Sequence, residues 1–202
     1  FGTGVNAELD IDSLERAKVA VRGSVIAESH SAGLLVRGAT AVVEDTLIQG
    51  TLATAETEMW GRGVLAADEE TTGQRADLTL LGSRVENSLG MGVGVYGSDA
   101  LIEATEIRGT GPNPADGSAG NGLQVWNRTA TQNRAVAKVH RSWIADNRTT
   151  GVLNGGGDVE LLGVLVEGTL PELSTGFFGR GVSAQRDPEL GLRASLVVRD
   201  CR

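Results

Sequence analysis

The sequence predicts an all-β solenoid, a tube of about seven stacked coils that alternate between 29 and 30 residues and so repeat every 59. Three observations carry this prediction. The first is a motif: "FGTG" at Phe1–Gly4 returns as "WGRG" at Trp60–Gly63, "AGNG" at Ala119–Gly122 and "FGRG" at Phe178–Gly181. The second is the spacing of an anchor glycine. Gly4, Gly33, Gly63, Gly92, Gly122, Gly151 and Gly181 follow one another at 29, 30, 29, 30, 29 and 30 residues. Self-similarity at a fixed period of this size is the mark of a repeat architecture. The third is the alternation of apolar and mixed residues after every anchor, the period of a strand with one buried face.

Each coil reads as three short strands. The first begins at the anchor, with Val5, Leu34, Val64, Val93, Leu123, Val152 and Val182 directed inward. Two residues further on stand Ala7, Val36, Ala66, Val95, Val125, Asn154 and Ala184, apolar at every place but Asn154. The second strand carries Ala17/Val19/Val21, Ala76/Leu78/Leu80, Ala135/Ala137/Val139 and Ala194/Leu196/Val198. The apolar phase then slips at "RG", Arg22–Gly23, which reads as a corner. A third strand follows, with a small residue and then a β-branched one: Ser24/Ile26, Thr46/Ile48, Ser83/Val85, Thr105/Ile107, Ser142/Ile144 and Val164/Val166. Three short strands bury no face alone, but stacked coils enclose a continuous core.

The 59-residue period arises because the coils are of two kinds. One kind closes with a short link such as "AESHSAG"; the other grows "QGTLATAETEMWGRG" before its anchor and "AADEETTGQRAD" after it. This pattern resembles the right-handed parallel β-helix of the pectin lyase-like superfamily, a resemblance that covers the whole chain and rests on the repeat. It implies coils stacked at the sheet spacing of ~4.8 Å, hence a rod roughly 30 Å long. A left-handed β-helix needs a six-residue apolar period, a propeller about 4–8 blades, and a leucine-rich repeat its own Leu and Asn spacing; none fits.

Composition bounds the partners. The net charge of −8 disfavours nucleic acid, whose phosphates require a basic footprint. No run is long and apolar enough to span a membrane. The start has no signal-peptide anatomy, and one cysteine, Cys201, excludes an internal disulfide. Residues 1–202 read as a single β-helix domain. Both ends fall inside coil motifs, so further coils in a longer protein are expected, and open ends invite end-to-end self-association by strand addition.

Candidate functional residues lie on the outward face of the first strand. Tyr96 and Trp126 fall on adjacent coils, with Gln124 and Arg37 near, and stacked aromatics beside hydrogen-bonding groups suit a sugar ring. The competing reading is an aromatic pair that stabilises the sheet. Phe1, Trp60 and Phe178 read as a lid over the core edge. Arg62, Asn121 and Arg180 point outward and read as solvated. The same solvated reading is given to the acidic groups Asp10/Asp12, Asp68/Glu69/Glu70 and Asp187/Glu189, in preference to calcium. Asn127-Arg-Thr129 and Asn147-Arg-Thr149 match the glycosylation acceptor pattern, a weak signal. Asn154 is expected inside with backbone partners, and Cys201 as a small buried side chain. His30 and His140 lie beside no recurring nucleophile.

The resemblance brings no catalytic residue with it. The polygalacturonase set of Asn-Thr-Asp, Asp-Asp, Gly-His-Gly and Arg-x-Lys is missing, as is the pectate lyase arginine facing a calcium-binding aspartate cluster. No catalytic, metal or cofactor site is assigned. The favoured function is a non-enzymatic stalk, adhesin or polysaccharide-binding surface of a secreted or cell-surface bacterial protein. The alternatives are a carbohydrate-active lyase, hydrolase or epimerase with atypical motifs, and a bare spacer.

Overall fold

The computed structural model describes residues 2–202 and is a parallel β-helix built of strands and turns. Seven strands form the first sheet: Val5–Glu8, Ala32–Arg37, Gly61–Ala67, Gly90–Tyr96, Asn121–Trp126, Thr150–Gly155 and Arg180–Gln185. Seven more form the second, Lys18–Arg22, Thr40–Glu44, Asp77–Leu81, Asp99–Glu103, Val136–His140, Asp158–Leu162 and Ser195–Arg199. The third has Val25–Ala27, Leu47–Gln49, Arg84–Glu86, Glu106–Arg108, Trp143–Ala145 and Leu165–Glu167. No helix among the described residues is long and apolar enough to cross a membrane.

Register is set by the inward columns. Val5, Leu34, Val64, Val93, Leu123, Val152 and Val182 pair in succession, and the five central members are wholly buried. Ile26, Ile48, Val85, Ile107, Ile144 and Val166 form the facing column of the third sheet. A slip of one residue would turn every column to solvent, so register and burial specify each other.

The anchor glycines are needed for space, not for an unusual φ. A Cβ on each anchor from Gly4 to Gly151 would lie 2.6–2.7 Å from the carbonyl oxygen of the next anchor. Except at Gly122, where it would meet the Asn147 side chain, it would also meet the third-sheet column, as Gly92 meets Ile107 Cγ2 at 2.8 Å. The anchor is thus where first and third sheets press together. The "RG" corner is confirmed: Gly23 has φ 53°, and Asp45, Gly82, Ala104, Arg141, Gly163 and Asp200 adopt positive φ at the same place in later coils.

Behind this corner runs a ladder. Ser24, Thr46, Ser83, Thr105 and Ser142 each donate a hydroxyl to the carbonyl two residues back, at 2.7–2.9 Å. Each hydroxyl from Thr46 onward also accepts the backbone N–H of the coil before, at 3.2–3.4 Å. Val164 interrupts the ladder, but its N–H meets Cys201 Sγ at 3.4 Å. Cys201 therefore stands in for a hydroxyl and is half-buried, where the sequence suggested full burial. Asn154 is inside as expected, accepting from Gly157 N at 2.9 Å and donating to the carbonyls of Gly157 and Ser195.

Candidate functional site

Long excursions leave both ends of the first sheet, so its outward face is a floor between two ridges. On one side the loops stack by the same bond one repeat apart: Ala115 N donates to Glu58 O at 3.3 Å, and Ser174 N to Gly117 O at 3.2 Å. On the other side Asp68 is fully buried. Its carboxylate accepts from Arg128 Nε at 3.1 Å, from Asn133 Nδ2 at 2.8 Å and from the Thr131 hydroxyl. Asp187, also buried, accepts from Asn127 Nδ2 and from the backbone N–H groups of Glu189 and Leu190. The solvated reading therefore fails for Asp68 and Asp187. A buried carboxylate must be hydrogen-bonded, and these two tie neighbouring loops together.

Tyr96 and Trp126 are register partners on adjacent strands of the floor. Neither ring stands up from it. Tyr96 lies back along its own strand, so that a Cβ on Gly94 would fall 3.0 Å from its Cε2, and its hydroxyl reaches Met91 Sδ at 3.9 Å. Trp126 lies across Gly155, where a Cβ would meet its Cζ3 at 2.5 Å and its Cδ2 at 2.6 Å. Two side-chain-free positions thus let two aromatic rings lie on the sheet. Burial pushes the Tyr96 phenol up to about 12, against the pull of the Arg62 and Arg128 charges.

Gln124 is beside them on the Trp126 strand, its Oε1 accepting from Asn121 Nδ2 at 3.0 Å. Arg37 is set apart: Ala67 separates it from Tyr96 in register, and its Nη1 lies 3.5 Å from Glu8. The structure therefore brings together Tyr96, Trp126 and Gln124, and leaves Arg37 two coils away.

Several other expectations change. Trp60 and Phe178 do not close over the core; they are 39% and 50% exposed, at φ 62° and 69°. Each ring carries an arginine two residues on, Arg62 over Trp60 at 5.4 Å and Arg180 over Phe178 at 5.0 Å, in cation–π geometry. Phe1 lies outside the described residues. Arg62 is half-buried, not solvated; the signal in the sequence was the aromatic-Gly-Arg spacing of "WGRG" and "FGRG". Asn127 and Asn147 are buried and bonded through both amide atoms, which removes them as glycosylation acceptors. His30 Nδ1 contacts Ala53 O at 3.1 Å and His140 Nε2 contacts Glu160 at 2.9 Å.

No protein-family model matches the chain, and no curated protein does. Among solved structures it is similar to a trypsin-treated variant of QnrB1, a plasmid-mediated fluoroquinolone resistance protein, at 13% identity and TM-score 0.21 over 92% of this chain and 90% of that one. A second trypsin-treated QnrB1 variant gives 12% identity and TM-score 0.21 over 93% and 92% of the two chains. HetL, a pentapeptide repeat protein involved in heterocyst differentiation regulation from the cyanobacterium Nostoc, gives 12% and 0.19 over 93% and 91%. Superposition at that level carries no argument about this chain, whose β-helix rests on its own strand register.

Proposed function

We propose that this chain is a non-enzymatic β-helix segment of a secreted or cell-surface bacterial protein that holds a polysaccharide or cell-surface glycan against the outer face of its first sheet. The observation that carries the reading is that Tyr96 and Trp126 are register partners on adjacent strands, the one ring lying over Gly94 of its own strand and the other over Gly155 of the next. A ring lying on the sheet turns its other face outward, and a sugar offers such a platform an apolar face and a hydroxyl edge. Gln124, whose Nε2 donates to no group among the described residues, supplies a hydrogen bond at that edge. The ridges on both sides suit an extended ligand. The resemblance to pectin lyase-like β-helices, which work on polysaccharide along the sheet face, belongs to the same reading.

The carboxylates support the non-enzymatic part as regards hydrolysis. Glycoside cleavage uses two of them about 5–10 Å apart. On the outward positions of the floor Glu8 stands alone, and it is paired with Arg37.

The test is a glycan array of bacterial and plant polysaccharides with the wild type and the Tyr96→Ala, Trp126→Ala double variant. Loss of two stacking faces is expected to lower retention by at least about tenfold, with an unchanged far-UV circular dichroism spectrum. Binding that survives the double substitution excludes the platform.

A further inference from the structure

On the floor the half-buried Arg62 is left without a partner among the described residues. Arg37 pairs with Glu8, Arg75 with Asp99, Arg128 with Asp68 and Glu70, and Arg134 with Asp158. Among the described residues the guanidinium of Arg62, like that of the exposed Arg180, meets neither a carboxylate nor a hydrogen-bond acceptor; Arg62 differs in being half-buried, and it rests over the Trp60 ring. The backbone that carries that ring is held, since Trp60 sits at φ 62° with its main-chain N–H bonded to Asn113 Oδ1 at 3.0 Å. Burial, and after it the charges of Arg128 and Arg37, hold the Arg62 pKa below its ordinary value, with Tyr96 acting in the opposite direction. A half-buried cation facing other cations is costly until an anion joins it. The planar guanidinium fork fits a carboxylate, sulfate or phosphate through two parallel bonds.

A second observation lies on the same face. Asn121 is 5% exposed, and its Oδ1 is buried with no hydrogen-bond partner. It occupies the place in its coil that Arg62 occupies in its own, with Met91 in register between them. Asn121 Oδ1 is closed to solvent, so what this face offers a ligand is the Arg62 guanidinium, whose unmatched donors an oxyanion would satisfy.

The charge of the whole chain limits how many such anions the ligand carries. At a net charge of −8, and with Glu69 and Glu70 in the adjoining ridge, a ligand charged at every sugar is repelled. We infer that Arg62 receives a single oxyanion, a carboxylate, sulfate or phosphate monoester carried as an isolated substituent on an otherwise neutral glycan. This rests on the reading of the floor as a glycan surface.

Two measurements test it separately from that reading. In the first, inorganic sulfate is titrated into ¹⁵N-labelled protein while the arginine Nε–Hε resonances are followed, Arg62 being assigned with Arg62→Lys. The Arg62 resonance is expected to move saturably and that of Arg22, already paired with Glu44, to stay. Small uniform shifts overturn the subsite. In the second, neutral oligosaccharides are arrayed beside their singly sulfated, phosphorylated and carboxylated counterparts. The wild type is expected to retain the substituted members at least about tenfold better, and Arg62→Gln to lose that preference with an unchanged melting temperature. Equal retention by the wild type, or a preference that persists in Arg62→Gln, overturns the inference and leaves the platform standing. Retention of no glycan, with Arg62 still answering sulfate, overturns the glycan reading and the carrier named here, but not the anion subsite.

Discussion

Tyr96 is the chain's one tyrosine, which makes its surroundings directly measurable. Its phenol is pushed up to about 12 by burial. Absorbance near 295 nm should therefore show ionisation centred near pH 12 in the folded protein, falling to about 10 in denaturant. The sign follows from linkage: a folded pKa above the unfolded one favours the protonated form in the fold. Its contribution is complete below about pH 10 and is lost as pH rises through about 12. A folded midpoint near 10 would mean that the ring stands up from the sheet into water. Register arithmetic alone placed Tyr96 beside Trp126, because strand pairing follows from the anchors. Arithmetic did not lay the rings flat, since that depends on what Gly94 and Gly155 leave open. Asp68 shows the opposite failure. In a run of acids it looks solvated, and only the folding of the next long loop over it supplies Arg128, Thr131 and Asn133.

At the scale of elements, the long coils are tied by arginines one repeat apart. Arg16 donates to Arg75 O at 3.0 Å, Arg75 to Arg134 O at 2.7 Å and Arg134 to Arg193 O at 2.9 Å. Arg75 and Arg134 also grip Asp99 and Asp158 of the second sheet with both arms of the guanidinium. One side chain thus joins the loop of its own coil, the strand of the next and the loop two coils on. Lysine cannot make this three-way contact, because its ammonium is a point charge. Arg75→Lys is expected to cost roughly 1–2 kcal/mol, the worth of about two hydrogen bonds discounted for partial exposure. Chemical denaturation measures it, and a change below about 0.3 kcal/mol would show the ladder to be ornamental to stability. Arg16, Arg75, Arg134 and Arg193 recur at 59 residues, in step with the repeat. What could not be read was their partner, because a backbone carbonyl leaves no sequence signature.

For the molecule as a whole, a solenoid's stability is a sum over neighbouring coils. Inner coils have two neighbours and outer ones have one. Leu123 and Val95 are wholly buried, whereas Val197 and Val198 are 37% and 50% exposed. Amide hydrogen exchange should therefore be slowest along the Val93–Leu123–Val152 column and at least about a hundredfold faster in Ser195–Arg199. Uniform protection along the rod would mean that it opens all at once, contrary to nearest-neighbour behaviour.

The sequence by itself determined the tube: the anchor spacing, the three strands per coil, the corner at "RG" and the alternation of short and long coils. Each of these is set by local sterics and by a strict period, so each is written in residue order. Only the tertiary structure decided which charges are buried, which amides are unreachable and that Arg62 is half-buried without a partner among the described residues. Those depend on loops 59 residues apart meeting across the surface, and long-range contact between irregular loops has no periodicity to announce it.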